Sequence, residues 1–131
     1  MGYSRAVRSG NFIAVTGTVG VNADGTYAKT VGEQAQRSLA IIKAAIEALG
    51  GKLEHVIRTR MYVTDVSEWE QVAAAHGAMF GEIRPATQVT QAARCATFSG
   101  VSSIANSMRL AMMATLSNTR FAKQISPRAK S

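Results

Sequence analysis

The sequence has one cysteine, Cys95, and two histidines, His55 and His76. A single thiol excludes an internal disulfide framework, and so few Cys and His argue against a Cys/His zinc site, so no metal is expected. Apolar runs such as LAMMATL from Leu110 fall far short of the roughly 20 residues a helix needs to cross a bilayer. The opening MGYSRAVRSGN has no apolar h-region of a secretory signal. These absences make a soluble, cytoplasmic protein without membrane contact the expectation. Gly17, Gly20 and Gly25 are not followed by a helix start with Lys-Ser/Thr at the right spacing, so they make no phosphate loop.

Acidic residues are missing from the last third. Residues 1–82 hold eight Lys/Arg and eight Asp/Glu, whereas residues 83–131 hold seven Lys/Arg and no acid. The net charge of +7 therefore belongs to the segment after Glu82. Clustered cations can neutralise phosphates. Here they are spread out and not interleaved with aromatics, which reads better as a solvated basic tail than as a nucleic-acid surface.

At 131 residues the chain is one domain with room for an ordinary core. NFIAVTG alternates and is β-branched, so it reads as a strand, with a shorter one over Tyr3–Arg8 pairing to it through SGN. Thr30 to Leu49 reads as a helix: Thr30 and Glu33 fit a capping box, Ala35, Leu39, Ile42, Ile46 and Leu49 share a face, and Gly50–Gly51 stop it. VIRTRMYVT from Val56 reads as a strand. A second helix follows, with Ser67 and Glu70 as a capping box and Trp69, Val72, His76, Met79 and Phe80 on its apolar side. Thr87–Ala93 and Met108–Leu116 read as two more strands, with a long small-residue stretch between them. The expected fold class is α+β, in the order β-β-α-β-α-β-β, with both helices on one face of one sheet. A sheet with a bare face needs a partner, so self-association is expected. The domain is expected to span 1–118, followed by a basic tail over 119–131.

YSRAVRSGNFIAVTGTVG, RTRMYVTD and the junction FGEIRPAT, in this order and spacing, resemble the RidA/YjgF family of reactive-intermediate deaminases. The resemblance runs from residue 2 to about 94. It implies a chorismate-mutase-like homotrimer with ligand clefts between subunits, hydrolysis of 2-imino or enamino acids to 2-keto acids and ammonia, and no metal or organic cofactor. The family's N-terminal tyrosine falls at Tyr3 and its Ser/Thr–Gly pair at Thr16–Gly17. The arginine that grips the substrate carboxylate follows Pro-Ala in the deaminases; here Thr87 follows Pro85–Ala86. The family's cleft asparagine falls at Ala73, and the glutamates of its final strand fall at Ala111 and Met113. The Arg and the Glu are both replaced, and the RPAT form resembles a branch of the family with Thr at that place.

The candidate substrate-binding residues are thus Tyr3, Thr16, Gly17, Arg60, His76, Thr87 and Arg94, with no catalytic residue assigned. Arg58 and Arg60 share a strand face with Tyr62, and Arg60 or Arg94 is the candidate replacement for the missing fork. His76 reads first as a packed or hydrogen-bonded core residue and second as an acid–base group. Cys95 beside Arg94 reads as a small buried residue rather than a reactive thiol. Met108, Met112 and Met113 read as core fillers. Three functions stay open: a hydrolase/deaminase acting on C=N bonds, a small-ligand-binding or regulatory trimer without catalysis, and an RNA-directed, endoribonuclease-like activity of the kind some relatives are labelled with. RNA binding would fall steeply with salt.

The abrupt loss of acids and of family pattern is what a translated shift of reading frame late in the gene would produce. The expected outcome of reading the coding DNA is a Glu-bearing, family-like final strand in one of the other two frames. Finding none in either rejects the idea.

Overall fold

The structure is a computed structural model, and it describes residues 2–92 and 110–117. Arg94, Cys95, Met108, the small-residue stretch and the basic tail lie outside the described residues.

Five strands form one sheet: β1 (Ala6–Ser9), β2 (Phe12–Thr18), β3 (Val56–Val63), β4 (Ala86–Gln91) and β5 (Leu110–Ser117), in the spatial order β1-β2-β5-β3-β4. β5, last in sequence among the described elements, is central in space. It pairs antiparallel with β2 on one side and with β3 on the other. β4 pairs parallel to β3, so the connection between them must cross over through a helix.

Helix α1 (Val31–Ala48) begins where the capping box places it. The Thr30 hydroxyl accepts from the Glu33 amide at 3.2 Å, and the Glu33 carboxylate accepts from the Thr30 amide at 3.3 Å. Two orphan donors of the first turn are thereby satisfied. Its end is held from the sheet: Arg8 Nη1 donates to the Leu49 carbonyl at 2.8 Å, placing a cation at the negative end of the helix. The buried stripe contains Val31, Ala35, Leu39, Ile42 and Ile46, and also Gln34 and Ser38. These two polar groups are satisfied locally, Gln34 Nε2 donating to the Ala28 carbonyl and Ser38 Oγ to the Gln34 carbonyl. Gly20 passes so close to that turn that any side chain there would collide with the Gln34 backbone.

Helix α2 (Trp69–Phe80) starts differently from the Ser67/Glu70 capping box. Asp65 instead accepts from the Ser67 amide at 2.9 Å and the Ser67 hydroxyl at 2.7 Å, heading a 3-10 turn over Val66–Glu68 that runs into the helix. The extra turn rotates the start of the helix outward. Trp69, expected on the apolar side, is 51% exposed, while Val72, Ala75 and Phe80 are buried.

Both helices cover one face of the sheet, as the alternation implies. Ile13 and Val15 of β2, Thr59, Met61 and Val63 of β3, and Leu110, Met112, Ala114 and Leu116 of β5 are buried on that face. A register shift between Val56 and Arg58 brings Val56 into the same core against its strand period. The opposite face carries Val7, Phe12, Ala14, Met113, Arg58, Arg60 and Tyr62. Phe12 is 54% exposed and Met113 37%, so Met113 fills no core gap, whereas Met112 does. Among the described residues no helix is long and apolar enough to cross a membrane.

Because β5 bonds to both neighbours, a protein ending at Ala92 leaves β2 and β3 each with one unpaired edge and removes four buried apolar side chains. It should show no cooperative thermal transition by circular dichroism. Ile42→Ala in the full chain should fold but lose about 2–5 kcal/mol in urea titration.

Candidate functional site

The sequence candidates gather into two groups. The first lies on the bare face of the sheet. β2 pairs Val15 with Ala114 and Thr18 with Met112, so Thr16 and Gly17 together oppose the single residue Met113. This is a bulge, a device that re-aims side chains and often stands beside sites. It is pinned by the Thr16 amide donating to the Arg5 carbonyl at 3.0 Å and by Thr18 Oγ1 donating to the Thr16 carbonyl at 2.9 Å. A methyl group added at Gly17 would meet nothing within 4 Å among the described residues. Across β5, Met113 is the register partner of Arg60, and Arg60 that of Gln88. Thr16–Gly17, Met113, Arg60 and Gln88 therefore form one row across four strands.

Arg60 is the unusual member. It is half-buried, and its Nε is inaccessible with no hydrogen-bond partner among the described residues. An unpaired buried donor is costly, more so on a charged group. No strand carries a carboxylate: all eight acids lie on helices, 3-10 turns or loops. Arg58, exposed on the same face, adds a second positive charge.

The second group lies at the β4 edge, on the helix-covered face. Thr59 Oγ1 is 3.0 Å from His76 Nε2 and 2.9 Å from Thr87 Oγ1, and Thr87 Oγ1 donates to the Pro85 carbonyl at 2.9 Å. Thr59 is buried and Thr87 exposed, so a hydrogen-bonded chain leads from inside the protein to its surface. The segment enters through Arg84, a non-glycine residue at φ 52°, directly before Pro85. That left-handed conformation is strained for a side-chain-bearing residue and doubly disfavoured before proline. His76 also stacks at a tilt on Phe80, with ring centroids 4.8 Å apart. Burial holds its imidazole below the usual histidine range, because desolvation penalises the charged form. His76 is thus hydrogen-bonded and half-buried at the margin of the core.

Thr59 was not a sequence candidate. Its alternation with Met61 places it on the covered face, but its meeting with Thr87 depends on the parallel register of β3 and β4, which no local pattern encodes. Tyr3 is 55% exposed on the segment before β1, two residues from Arg5, whose carbonyl accepts from the Thr16 amide. A narrow cleft between α1, α2 and the sheet, lined by Leu39, Ile42, Thr59, Arg60, His76 and Phe80 among others, has room for at most a water molecule. Among the described residues no group of three His, Cys, Asp or Glu side chains is placed to hold a metal.

The family described as Endoribonuclease L-PSP matches residues 1–101. The chain belongs to this family, the RidA/YjgF family. A RutC family protein of Pyrococcus abyssi is 31% identical over 94 residues, covering 70% of this chain and 74% of the relative. The 2-iminobutanoate/2-iminopropanoate deaminase of Escherichia coli K12 is 35% identical over 81 residues, covering 61% of this chain and 63% of the deaminase. Among solved structures, a YjgF/YER057c/UK114 family member from Mycobacterium tuberculosis superposes with a TM-score of 0.74 at 32% identity, covering 88% of this chain and 86% of that one. The Escherichia coli YjgF gene product gives 0.77 at 27% identity, covering 90% and 89%. The five-stranded sheet with two helices is this family's fold.

A histidine whose folded pKa is depressed binds fewer protons in the native than in the unfolded state between its folded value and about 6.5. Native stability should therefore fall as pH drops through about 6.5 towards the folded value. His76→Gln, which keeps a donor for Thr59, should flatten that slope in urea titrations at stepped pH. An unchanged slope would show that His76 is not its source.

Proposed function

We propose that this protein is a homotrimer that hydrolyses a small 2-imino or enamino acid to the 2-keto acid and ammonia in clefts between subunits, with Arg60 as the carboxylate anchor. The observation that supports the reading is the half-buried Arg60, whose Nε has no hydrogen-bond partner among the described residues, on an acid-free sheet face in one row with the Thr16–Gly17 bulge. A guanidinium fork suits a carboxylate bidentately. Copies of the chain meeting by this face could not neutralise it from their strands, which carry the same residues. A ligand carboxylate can. Exposed Met113 beside it, and Val7 and Phe12 further along the same face, give apolar area for association. In the reaction, water adds to the C=N carbon, its proton reaches nitrogen, and ammonia leaves as the carbonyl forms.

One feature favours the second reading, a binding trimer without turnover. Met113 stands where the resemblance places a water-positioning glutamate, and the row contains no carboxylate to take its part. The two readings separate experimentally. Light scattering of the purified protein should give a trimer. The trimer should accelerate release of keto acid and ammonia from a freshly generated 2-imino acid. Arg60→Ala should lower kcat/KM by roughly 10- to 100-fold while leaving the trimer intact, and Arg60→Lys should recover part of the loss. No acceleration by an intact trimer moves the assignment to binding, in which case 2-keto acids should still raise its melting temperature. A normal Arg60→Ala rate removes Arg60 from the role and leaves Arg94 as the candidate.

A further inference from the structure

Arg5 meets the Thr16–Gly17 bulge twice. Its carbonyl accepts from the Thr16 amide at 3.0 Å, and its Nη1 donates to Thr18 Oγ1 at 3.3 Å. Thr18 Oγ1 in turn donates to the Thr16 carbonyl at 2.9 Å. The three bonds close a circuit. It leaves the Arg5 main chain for the Thr16 amide, crosses Thr16 to its carbonyl, and returns through the Thr18 hydroxyl to the Arg5 side chain. Its direction is fixed, because a guanidinium only donates and stays charged. With Arg5 donating to it, the Thr18 hydroxyl gives its one hydrogen to the Thr16 carbonyl. Thr18 is fully buried, where a hydroxyl without partners is costly. Among the described residues no carboxylate pairs with Arg5.

Both main-chain groups of Thr16 are thus committed to residues 5 and 18. Val15 is buried on the covered face, so Thr16 turns to the bare one. Its side chain is half-buried, and its hydroxyl has no hydrogen-bond partner among the described residues. The direction of that hydroxyl is set by the backbone that carries it. A bulge disrupts the ladder locally; here the Arg5 circuit holds the backbone in place of the ladder.

We propose that Arg5 is a positioning residue, whose circuit through Thr18 holds the Thr16–Gly17 bulge and aims the Thr16 hydroxyl into the bare-face row that contains Arg60. Arg5 acts through the bulge and does not touch the ligand. The inference rests on the reading of that row as a carboxylate site. It gives the segment before β1, which contributes no residue to the row, control over one end of it.

The first test needs no ligand. Amide hydrogen exchange of the full-length protein, read by NMR, should be faster at Thr16 by roughly 10-fold in Arg5→Met and in Thr18→Val. Ile13, whose register partners are Arg8 and Leu116, should keep its native rate. An unchanged Thr16 rate overturns the proposal. Equal acceleration at Ile13 means a general loosening of the hairpin and overturns it too. Arg5 is exposed, so Arg5→Met leaves the core intact if Thr18→Val does not fold.

The second test is calorimetric binding of 2-oxobutanoate as a carboxylate probe. Arg5→Met and Thr18→Val should each weaken it by roughly 3- to 10-fold. The double variant should lose no more than either single one, because both break the same circuit. Arg5→Lys, which keeps a donor, and Thr18→Ser, which keeps the hydroxyl, should recover part of the loss. Weakening by Arg5→Met alone, with Thr18→Val binding normally, reduces Arg5 to a distant charge and overturns the positioning role. Native affinity in both variants overturns it as well. If the probe does not bind the native protein, or binds Arg60→Ala equally well, the reading of the row fails. The Thr16 exchange rate then decides alone whether Arg5 holds the bulge.

Discussion

Everything described rests on the insertion of Leu110–Ser117 between β2 and β3. Without it the first hairpin and the β3-α2-β4 crossover would be two fragments sharing no hydrogen-bonded edge. With it, Leu110, Met112, Ala114 and Leu116 enter the core at period two, and the alternate positions are forced to the bare face. That parity fixes Met113 opposite Arg60 and next to the Thr16–Gly17 bulge. A slip of one residue would turn all four apolar side chains out and Met113 in, so burial of the covered face also sets the chemistry of the open one.

The open face has its character because charge is distributed unevenly between element types. Acids are confined to helices and connections, where they cap α1 through Glu33 and head the turn into α2 through Asp65. The strands keep arginines and no acid. Most surface arginines find a carboxylate or bulk water. Arg60 is shielded enough by its neighbours to lose water at Nε and has no acid within its own sheet to replace it. Among the described residues nothing satisfies it, and that need, more than the shape of any internal cleft, is why the row is the candidate site.

Much of this was legible from local pattern. The capping box, the apolar stripe and the glycine stop define α1 within a residue or two, and alternation assigns β2 and β3 because each buries one face only. The errors have local causes. Asp65 outcompetes Ser67 as a cap because its carboxylate reaches two donors at once, and the added turn carries Trp69 outward. Met113 looks like a core residue by type and is an open-face residue by parity. The family resemblance supplied Tyr3, Thr16, Gly17 and Thr87, but not their grouping. Long-range register brings Thr16–Gly17 into one row with Arg60, and Thr87 to Thr59.

The two groups also differ in what they ask of a ligand. The bare-face row offers donors and positive charge. The β4 edge carries a neutral hydroxyl chain, from exposed Thr87 through buried Thr59 to His76. Where the resemblance places an arginine, the chain carries a threonine, so the position exchanges a fixed charge for a neutral hydroxyl. The strand arginines Arg58 and Arg60 flank Thr59, the register partner of Thr87, and by alternation point to the opposite face. The charge and the hydroxyl chain are therefore held apart by the sheet itself, and the parity that buries Thr59 is what turns both arginines to the bare face.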